Sequence, residues 1–331
     1  MSEPLLQLEN VAVHFDTAQG RLRAVDGVDL ELGHGRTLGI VGESGSGKSV
    51  LSRMIMGLWP SNARLGKESR ILLEGRDLLT LPEKELRKIR GPEVSMIFQD
   101  PMTSLNPVMT VGRQIAEGPI RHLGKSRAEA RDLAVELLTA VGIPQPEQRI
   151  RSYPHQLSGG MRQRVAIAMA LACQPKLLIA DEPTTALDVT VQAEILDLLA
   201  RQTRDRHMAL ILITHDLGVV AGRTDEVAVM YAGKVVERSS TRELFADMRM
   251  PYTEALLQSI PRLEDPPHKR LSTVGGRPPN LVAPPPGCSF APRCPYADRS
   301  CEAAEPRLEP VSNDPTHQFA CFKPLERGAA A

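Results

Sequence analysis

Residues 5–15 read LLQLENVAVHF and residues 24–32 read AVDGVDLEL, with apolar and polar positions partly alternating in both. That period of two, rich in β-formers, predicts a pair of strands. TLGIVG follows as a short apolar run and predicts a buried strand leading into a glycine-rich turn. Beyond the turn the period changes. Val50, Leu51, Met54, Ile55 and Leu58 share one helical face, and Pro60 is expected to close that helix. RILLEG, EVSMIFQ, KLLIAD and ALILITH predict further short strands, and EVAVMYAGKVVE predicts a hairpin. From about Asp100 to Ser158 the pattern is helical. Ser126 and Glu129 match a capping box ahead of an apolar stripe at Leu133, Ala134, Leu137, Leu138 and Val141. A helix over roughly 189–201 separates KLLIAD from ALILITH. The alternation predicts an α/β fold with a largely parallel sheet and helices on both faces. No internal repeat is visible.

Composition narrows this without changing it. The 331 residues allow one large domain with an appendage, or two modest domains, and 42% hydrophobic with 24% charged residues is ordinary for a soluble globular chain. Lys+Arg and Asp+Glu both number 40, so the basic excess expected of a nucleic-acid binder is missing. The longest apolar run, Val165 to Cys173, falls far short of the roughly 18 residues of a membrane span. The first residues, MSEPLLQLEN, lack the pattern of a signal peptide. A cytoplasmic protein with reduced thiols is the expectation. After Pro251 the character shifts, because the last 81 residues hold 15 of the 27 prolines. Residues 261–287 therefore predict an extended linker.

The candidate chemistry begins with GESGSGKS, comprising Gly42, Glu43, Ser44, Gly45, Ser46, Gly47, Lys48 and Ser49. It fits G-x-x-x-x-G-K-[ST] and lies between a predicted strand and a predicted helix, the context that separates a phosphate loop from a chance glycine-rich turn. Backbone N–H groups would cradle phosphates, Lys48 would reach the β- and γ-phosphates, and the Ser49 hydroxyl would ligate Mg²⁺. A second glycine-rich helix start occurs in LSGGMRQR, at Ser158, Gly159 and Gly160. One phosphate loop makes another anion-binding helix end redundant, unless it serves a nucleotide held by another subunit.

At this point the chain resembles the ATP-binding cassette (ABC) family, over roughly residues 5–260. The resemblance implies a P-loop NTPase cassette over 1–260, with a parallel-sheet core, an N-terminal antiparallel β subdomain and a helical signature subdomain at about 100–160. It implies that Asp181 orients Mg²⁺ and that Glu182 polarises the attacking water. Gln99 resembles the Q-loop glutamine that senses γ-phosphate and metal, so Ser49, Gln99 and Asp181 form the implied Mg²⁺ set. Asp188 resembles the D-loop aspartate and His215 the switch histidine. Taken singly, His215 also reads as a structural histidine and the acidic pair as a solvated strand end; the shared order and spacing carry the assignment. Phe15 stands where the family places a ring that stacks on adenine, although the following DTAQGRLRA looks longer than usual. An ordinary core phenylalanine is the other reading of Phe15. Ser158, Gly159 and Gly160 would complete a partner cassette's site, which implies a dimer with a second ATPase subunit.

One cassette without spans implies separate membrane subunits. DPMTSLNPVMTVGRQIAE, after Gln99, is where such cassettes receive the coupling helices of their permeases. Together with MPYTEALLQSIPR and the cysteine-bearing end, it resembles the ATPase subunits of bacterial dipeptide and oligopeptide importers, a group that also includes nickel and glutathione importers. The implied assembly is a heterodimer with a second cassette, two permeases and, indirectly, a solute-binding protein, at the cytoplasmic membrane face. A soluble ABC ATPase of DNA repair or translation is the alternative class, which the single uninterrupted cassette and neutral charge balance disfavour.

Four of the five cysteines, Cys288, Cys294, Cys301 and Cys321, fall in the last 44 residues, predicted as a small cysteine-rich module over 288–331. The spacing C-x5-C-x6-C-x19-C lacks the tight pairs common at structural zinc and the tight run of bacterial ferredoxins. The importer resemblance implies a [4Fe–4S] cluster on these four residues, with zinc as the alternative. His317 stands nearby, either as a stand-in nitrogen ligand or as a solvated loop histidine. Cys173, inside an apolar helix, reads as a small buried hydrophobe.

Overall fold

The computed structural model describes residues 3–100, 104–185, 187–260 and 273–326. The chain divides into two compact units. One comprises Met1–Leu32, Thr37–Leu79 and Leu212–Ala331, the other Gly33–Arg36 and Thr80–Ile211.

In the first unit β1 (Leu6–Thr17) and β2 (Gly20–Leu32) pair antiparallel. Val28, Leu30 and Leu32 are buried from β2 by period-two alternation, and β1 buries Leu6 and Leu8, then Val11 and Val13, its phase changing where the register shifts between Leu8 and Val11. The segment DTAQGRLRA is mostly strand. Register holds to Thr17 opposite Gly20, and the Thr17 hydroxyl donates to Gly20 O at 2.7 Å. β4 (Ala63–Leu65) and β5 (Arg70–Leu73) pair along β1, and β6 (Arg76–Asp77) pairs with β5.

A second sheet in this unit contains β3 (Thr37–Val41), β10 (Glu226–Tyr231), β11 (Lys234–Ser240), β12 (Glu309–Val311) and β13 (Asp314–Phe319), in the order β12-β13-β11-β10-β3. β10 runs parallel to β3, and the remaining pairs are antiparallel. The β10–β11 hairpin turns through Ala232 (φ 51°) and Gly233 (φ 82°), the paired positive φ values of a tight hairpin. Helix α1 (Lys48–Ile55) buries Leu51, Met54 and Ile55. It stops before Pro60. Gly57 (φ 65°) sends its N–H to Met54 O, and Leu58 sends its N–H to Arg53 O, a Schellman ending.

In the second unit β7 (Val94–Ile97) and β8 (Leu177–Asp181) are parallel, and β9 (Ala209–Thr214) starts where Ala209 N–H donates to Lys176 O at 2.9 Å. Every residue of β8 is buried, which explains its continuous apolar run. The helices here are α2 (Val111–His122), α3 (Arg127–Ala140), α4 (Gly159–Leu171) and α5 (Val189–Asp205). The capping box forms in full at α3, with Ser126 N–H on Glu129 Oε2 at 2.8 Å and Glu129 N–H on Ser126 Oγ at 3.3 Å. Ala134, Leu137, Leu138 and Val141 are buried from the expected stripe, while Leu133 is half-buried.

The described tail packs within the first unit and is not a body of its own. Residues 261–272 of the predicted linker lie outside the described residues. After them the chain runs extended, and Arg23 N–H donates to Leu281 O at 3.1 Å. Phe290 sits with its ring 5.3 Å from both Tyr231 and Tyr252, the latter from α6 (Pro251–Gln258). β13 pairs with β11 through Glu237–Phe319 and Arg238–Gln318. His317 is neither a solvated loop residue nor placed on the cysteines. It is buried and meets Glu237 at 2.9 Å, and the Glu237 carboxylate also accepts the N–H groups of Arg249 and Met250. A fully buried carboxylate needs such partners, so the tail and the sheet satisfy each other. No helix among the described residues is long and apolar enough to cross a membrane.

Candidate nucleotide site

The phosphate loop joins β3 to α1, and two of its glycines are required by their surroundings. A Cβ on Gly42 would lie 2.1 Å from Met230 O, and one on Gly47 (φ 103°) would lie 2.3 Å from Ala24 O. Gly45 faces open space. Gly47 is also the N-cap of α1, so no side chain caps that helix start, as an anion-binding end requires. Lys48 is buried with its ammonium turned into the loop, donating to Gly42 O at 2.6 Å, Glu43 O at 2.9 Å and Ser46 Oγ at 3.4 Å. Ser49 is half-buried at the first turn of α1. Glu43 is held from several sides. Its N–H donates to Tyr252 Oη at 2.8 Å, and its carboxylate takes a two-pronged bond from Arg293 at 2.6 and 2.9 Å. Ser44 is exposed. In the same unit His215 is exposed just past the end of β9, and Phe15 is half-buried in β1 opposite Leu22 and Ala63.

The second unit carries the acidic edge. Asp181 ends β8 and is buried, and Glu182 follows in a left-handed conformation (φ 46°), uncommon for a residue with a Cβ. Glu182 Oε2 accepts from Gln99 Nε2 at 2.9 Å and from Thr185 Oγ1 at 2.9 Å. Two residues 83 positions apart in the chain thus meet at one carboxylate oxygen. A carboxylate oxygen that accepts from two donors is oriented.

Ser158 and Asp188 have local structural duties as well. Ser158 caps α4 by accepting Met161 N–H at 3.3 Å, and Asp188 caps α5 by accepting Val191 N–H at 3.0 Å. Ser158 and Gly159 are exposed, so the α4 start remains open to an external anion. Gly160 lies where a Cβ would come within 3.0 Å of Val191.

All five cysteines are free thiols. Burial pushes the thiols of Cys288 and Cys294 up, and that of Cys321 up to about 11. Cys288, Cys294 and Cys301 all act electrostatically on Cys321, so the four share one neighbourhood. Backbone N–H groups point at the sulfurs: Lys323 at Cys321 (3.3 Å), Phe290 and Ala291 at Cys288, Tyr296 and Ala297 at Cys294. Among the described residues no group of three His, Cys, Asp or Glu side chains is disposed to hold a metal ion.

Over 322 residues, covering 97% of this chain and 94% of the other, the sequence is 52% identical to the oligopeptide transport ATP-binding protein OppD of Salmonella typhimurium. It is 52% identical over 329 residues to the dipeptide transport ATP-binding protein DppD of Bacillus subtilis, covering 99% and 97% of the two chains. The chain belongs to the oligopeptide/dipeptide ABC transporter ATPases. The ABC transporter family matches residues 25–185, which span the phosphate loop, Gln99, the α4 start and the acidic edge of this ABC ATPase. The oligopeptide/dipeptide transporter C-terminal region matches residues 236–301 and so includes Cys288, Cys294 and Cys301. A solved ATP-binding cassette dimer in a post-hydrolysis state with ADP and phosphate shares the fold at TM-score 0.65 and 29% identity, covering 72% of this chain and 99% of that one. Sequence patterns alone did not reveal three polar partners, Thr185 of Glu182 in the second unit, and Tyr252 and Arg293 of Glu43 in the first. Thr185 and Tyr252 belong to no phosphate-site pattern, and Arg293 lies among cysteines and prolines far down the chain.

Proposed function

We propose that this ABC ATPase powers the import of peptides through separate membrane subunits. Near-full-length identity to proteins named for oligopeptide and dipeptide transport carries the reading. Lys48 and the loop amides bind the ATP phosphates, and Ser49, Asp181 and Gln99 supply oxygen ligands suited to Mg²⁺. The metal, when bound, neutralises phosphate charge. Glu182, oriented by Gln99 and Thr185, polarises the attacking water. His215 contacts the γ-phosphate, Asp188 lies in the D-loop, and Phe15 stacks on adenine. Ser158, Gly159 and Gly160 face ATP held by a second cassette, in a heterodimer bound to two permeases at the cytoplasmic membrane face. A solute-binding protein delivers the cargo. The decisive experiment co-expresses the chain with its membrane neighbours in proteoliposomes. Peptide-dependent ATP hydrolysis that drives peptide uptake supports the reading, and uptake stimulated only by nickel or glutathione overturns it.

We propose further that Cys288, Cys294, Cys301 and Cys321 ligate a [4Fe–4S] cluster. The chemistry of the donors supports the reading: four neighbouring unpaired thiols, three of them receiving backbone N–H groups, a pattern that stabilises thiolate ligands. A single zinc ion about 2.3 Å from each sulfur would need a tight convergence of donors, whereas a cubane separates its thiolates. The cysteine sulfurs, their N–H donors and the turns between them are the chain's contribution. Anaerobically purified protein should be brown, with about four irons per chain. Colourless protein with a single zinc would overturn the assignment.

A further inference from the structure

Arg293 lies in the tail, one residue before Cys294, and its side chain is 3% exposed. All five of its N–H donors are used. Nη1 donates to Glu43 Oε2 at 2.6 Å and to Tyr231 Oη at 3.3 Å, and Nη2 donates to Glu43 Oε1 at 2.9 Å and to Val274 O at 3.0 Å. Nε donates to Gly275 O at 2.6 Å. The guanidinium also lies 5.8 Å from the Tyr231 ring centroid and 5.9 Å from that of Phe290. A buried fork with every donor met is rigid, and its two prongs fix the plane of the carboxylate opposite.

That carboxylate belongs to the second residue of the phosphate loop, and the rest of Glu43 is also engaged. Its N–H is held by Tyr252 Oη, and its carbonyl accepts from Lys48 Nζ and from Ser46 N–H. Glu43 is therefore the point where the loop backbone, the loop lysine and the tail meet. Lys48 must exchange its bonds to loop carbonyls for bonds to phosphate when ATP binds, so the path of the backbone at Glu43 sets where that lysine starts. A loop held in place before binding loses less freedom on binding.

We infer that Arg293 is a positioning residue for ATP: by clamping Glu43 it pre-sets the phosphate loop, and it makes nucleotide affinity depend on the seating of the tail. The inference rests on the phosphate-loop reading of Gly42–Ser49. It gives the tail a role in the ATP site that does not require any group bound to the cysteines.

The test measures ATP affinity and turnover on the full chain assembled with its partners, for Arg293→Met, Arg293→Lys, Glu43→Gln and the Arg293→Met/Glu43→Gln double variant. Arg293→Met should raise the ATP KM about tenfold and leave kcat within about twofold, because a charge-assisted pair is lost away from the reacting atoms. Arg293→Lys should fall between, since one ammonium cannot meet both carboxylate oxygens. Glu43→Gln should also raise KM, and the double variant should be no worse than Arg293→Met, the signature of a shared contact. An unchanged KM in Arg293→Met overturns the inference. So does a KM effect in Arg293→Met with none in Glu43→Gln, which would reduce Arg293 to an anchor of the tail. Additive losses would overturn it as well. A wild-type chain with no ATP affinity would overturn both the loop reading and the inference.

Discussion

The phosphate loop and the cysteine tail are both turn-rich stretches of backbone, yet only the loop carries part of its constraint inside its own motif. The loop combines a local constraint, Lys48 bonding back to residues five and six positions before it, with close approaches that only glycine satisfies, Gly42 against Met230 O and Gly47 against Ala24 O. The tail is constrained from afar. Arg293 bonds across 250 positions to Glu43, and His317 bonds across 80 to Glu237. Local constraint leaves a motif, because the residue types must recur at fixed spacing. Distant constraint leaves only scattered polar residues whose partners the spacing does not name.

The largest expected effects fall on the phosphate loop and the acidic residue at the end of β8. Gly47→Ala places a Cβ against Ala24 O and strains a positive φ, a cost of about 1–3 kcal/mol at the loop. It should abolish the rise in Tm that ATP confers, as should Lys48→Ala, while protease resistance of the tail persists. Preserved ATP stabilisation in Gly47→Ala would show that the close approach to Ala24 O does not shape the loop. Glu182→Gln should leave ATP binding intact and lower turnover by about 10²–10³-fold in the assembled complex. Near-normal turnover would remove Glu182 from its role.

The tail should respond more moderately. His317→Ala leaves one partner fewer for the fully buried Glu237 carboxylate and should cost about 1–3 kcal/mol, read as a lower Tm with early cleavage of the tail. An unchanged Tm would mean that the distant contacts do not hold the tail. With the proposed cluster in place, Cys288→Ser should bleach the protein, yet the β11–β13 pairing and the Arg293–Glu43 pair should keep the tail largely protease-resistant. Complete digestion of the tail in that variant would shift its stabilisation onto the cluster. The smallest effect concerns Cys173, whose thiol burial pushes up from its ordinary 9.0. The raised value favours the neutral thiol in the folded chain, so stability from this group is present below pH 9.0 and falls as pH rises through the folded value. Native Cys173 should alkylate more slowly at pH 8 than in urea, and equal rates would place it at the surface.

Much of the fold was legible where local physics decides it. The capping box at Ser126 and Glu129, the 231–234 hairpin and the buried run of β8 all appear as read, because each depends on residues within one turn or one strand. The end of α1 was misjudged although its signal was present. Gly57 in the left-handed region stops the helix before Pro60 becomes relevant. DTAQGRLRA carries no clear strand pattern, because its polar residues mask a strand whose partner is the neighbouring arm of its own hairpin.

What the sequence determined by itself is the chemistry that repeats as a pattern: a phosphate loop flanked by strand and helix, an acidic strand end, and four thiols crowded near one end. Each is set by residue type and spacing, and short-range sterics allow few other conformations. Only the tertiary structure decided that Glu182 is oriented by Gln99 and Thr185, that His317 pairs with Glu237 instead of facing water, and that Arg293 clamps the phosphate loop. Those contacts are hydrogen bonds whose donors and acceptors must be satisfied once buried, and which partner satisfies them depends on how distant segments pack.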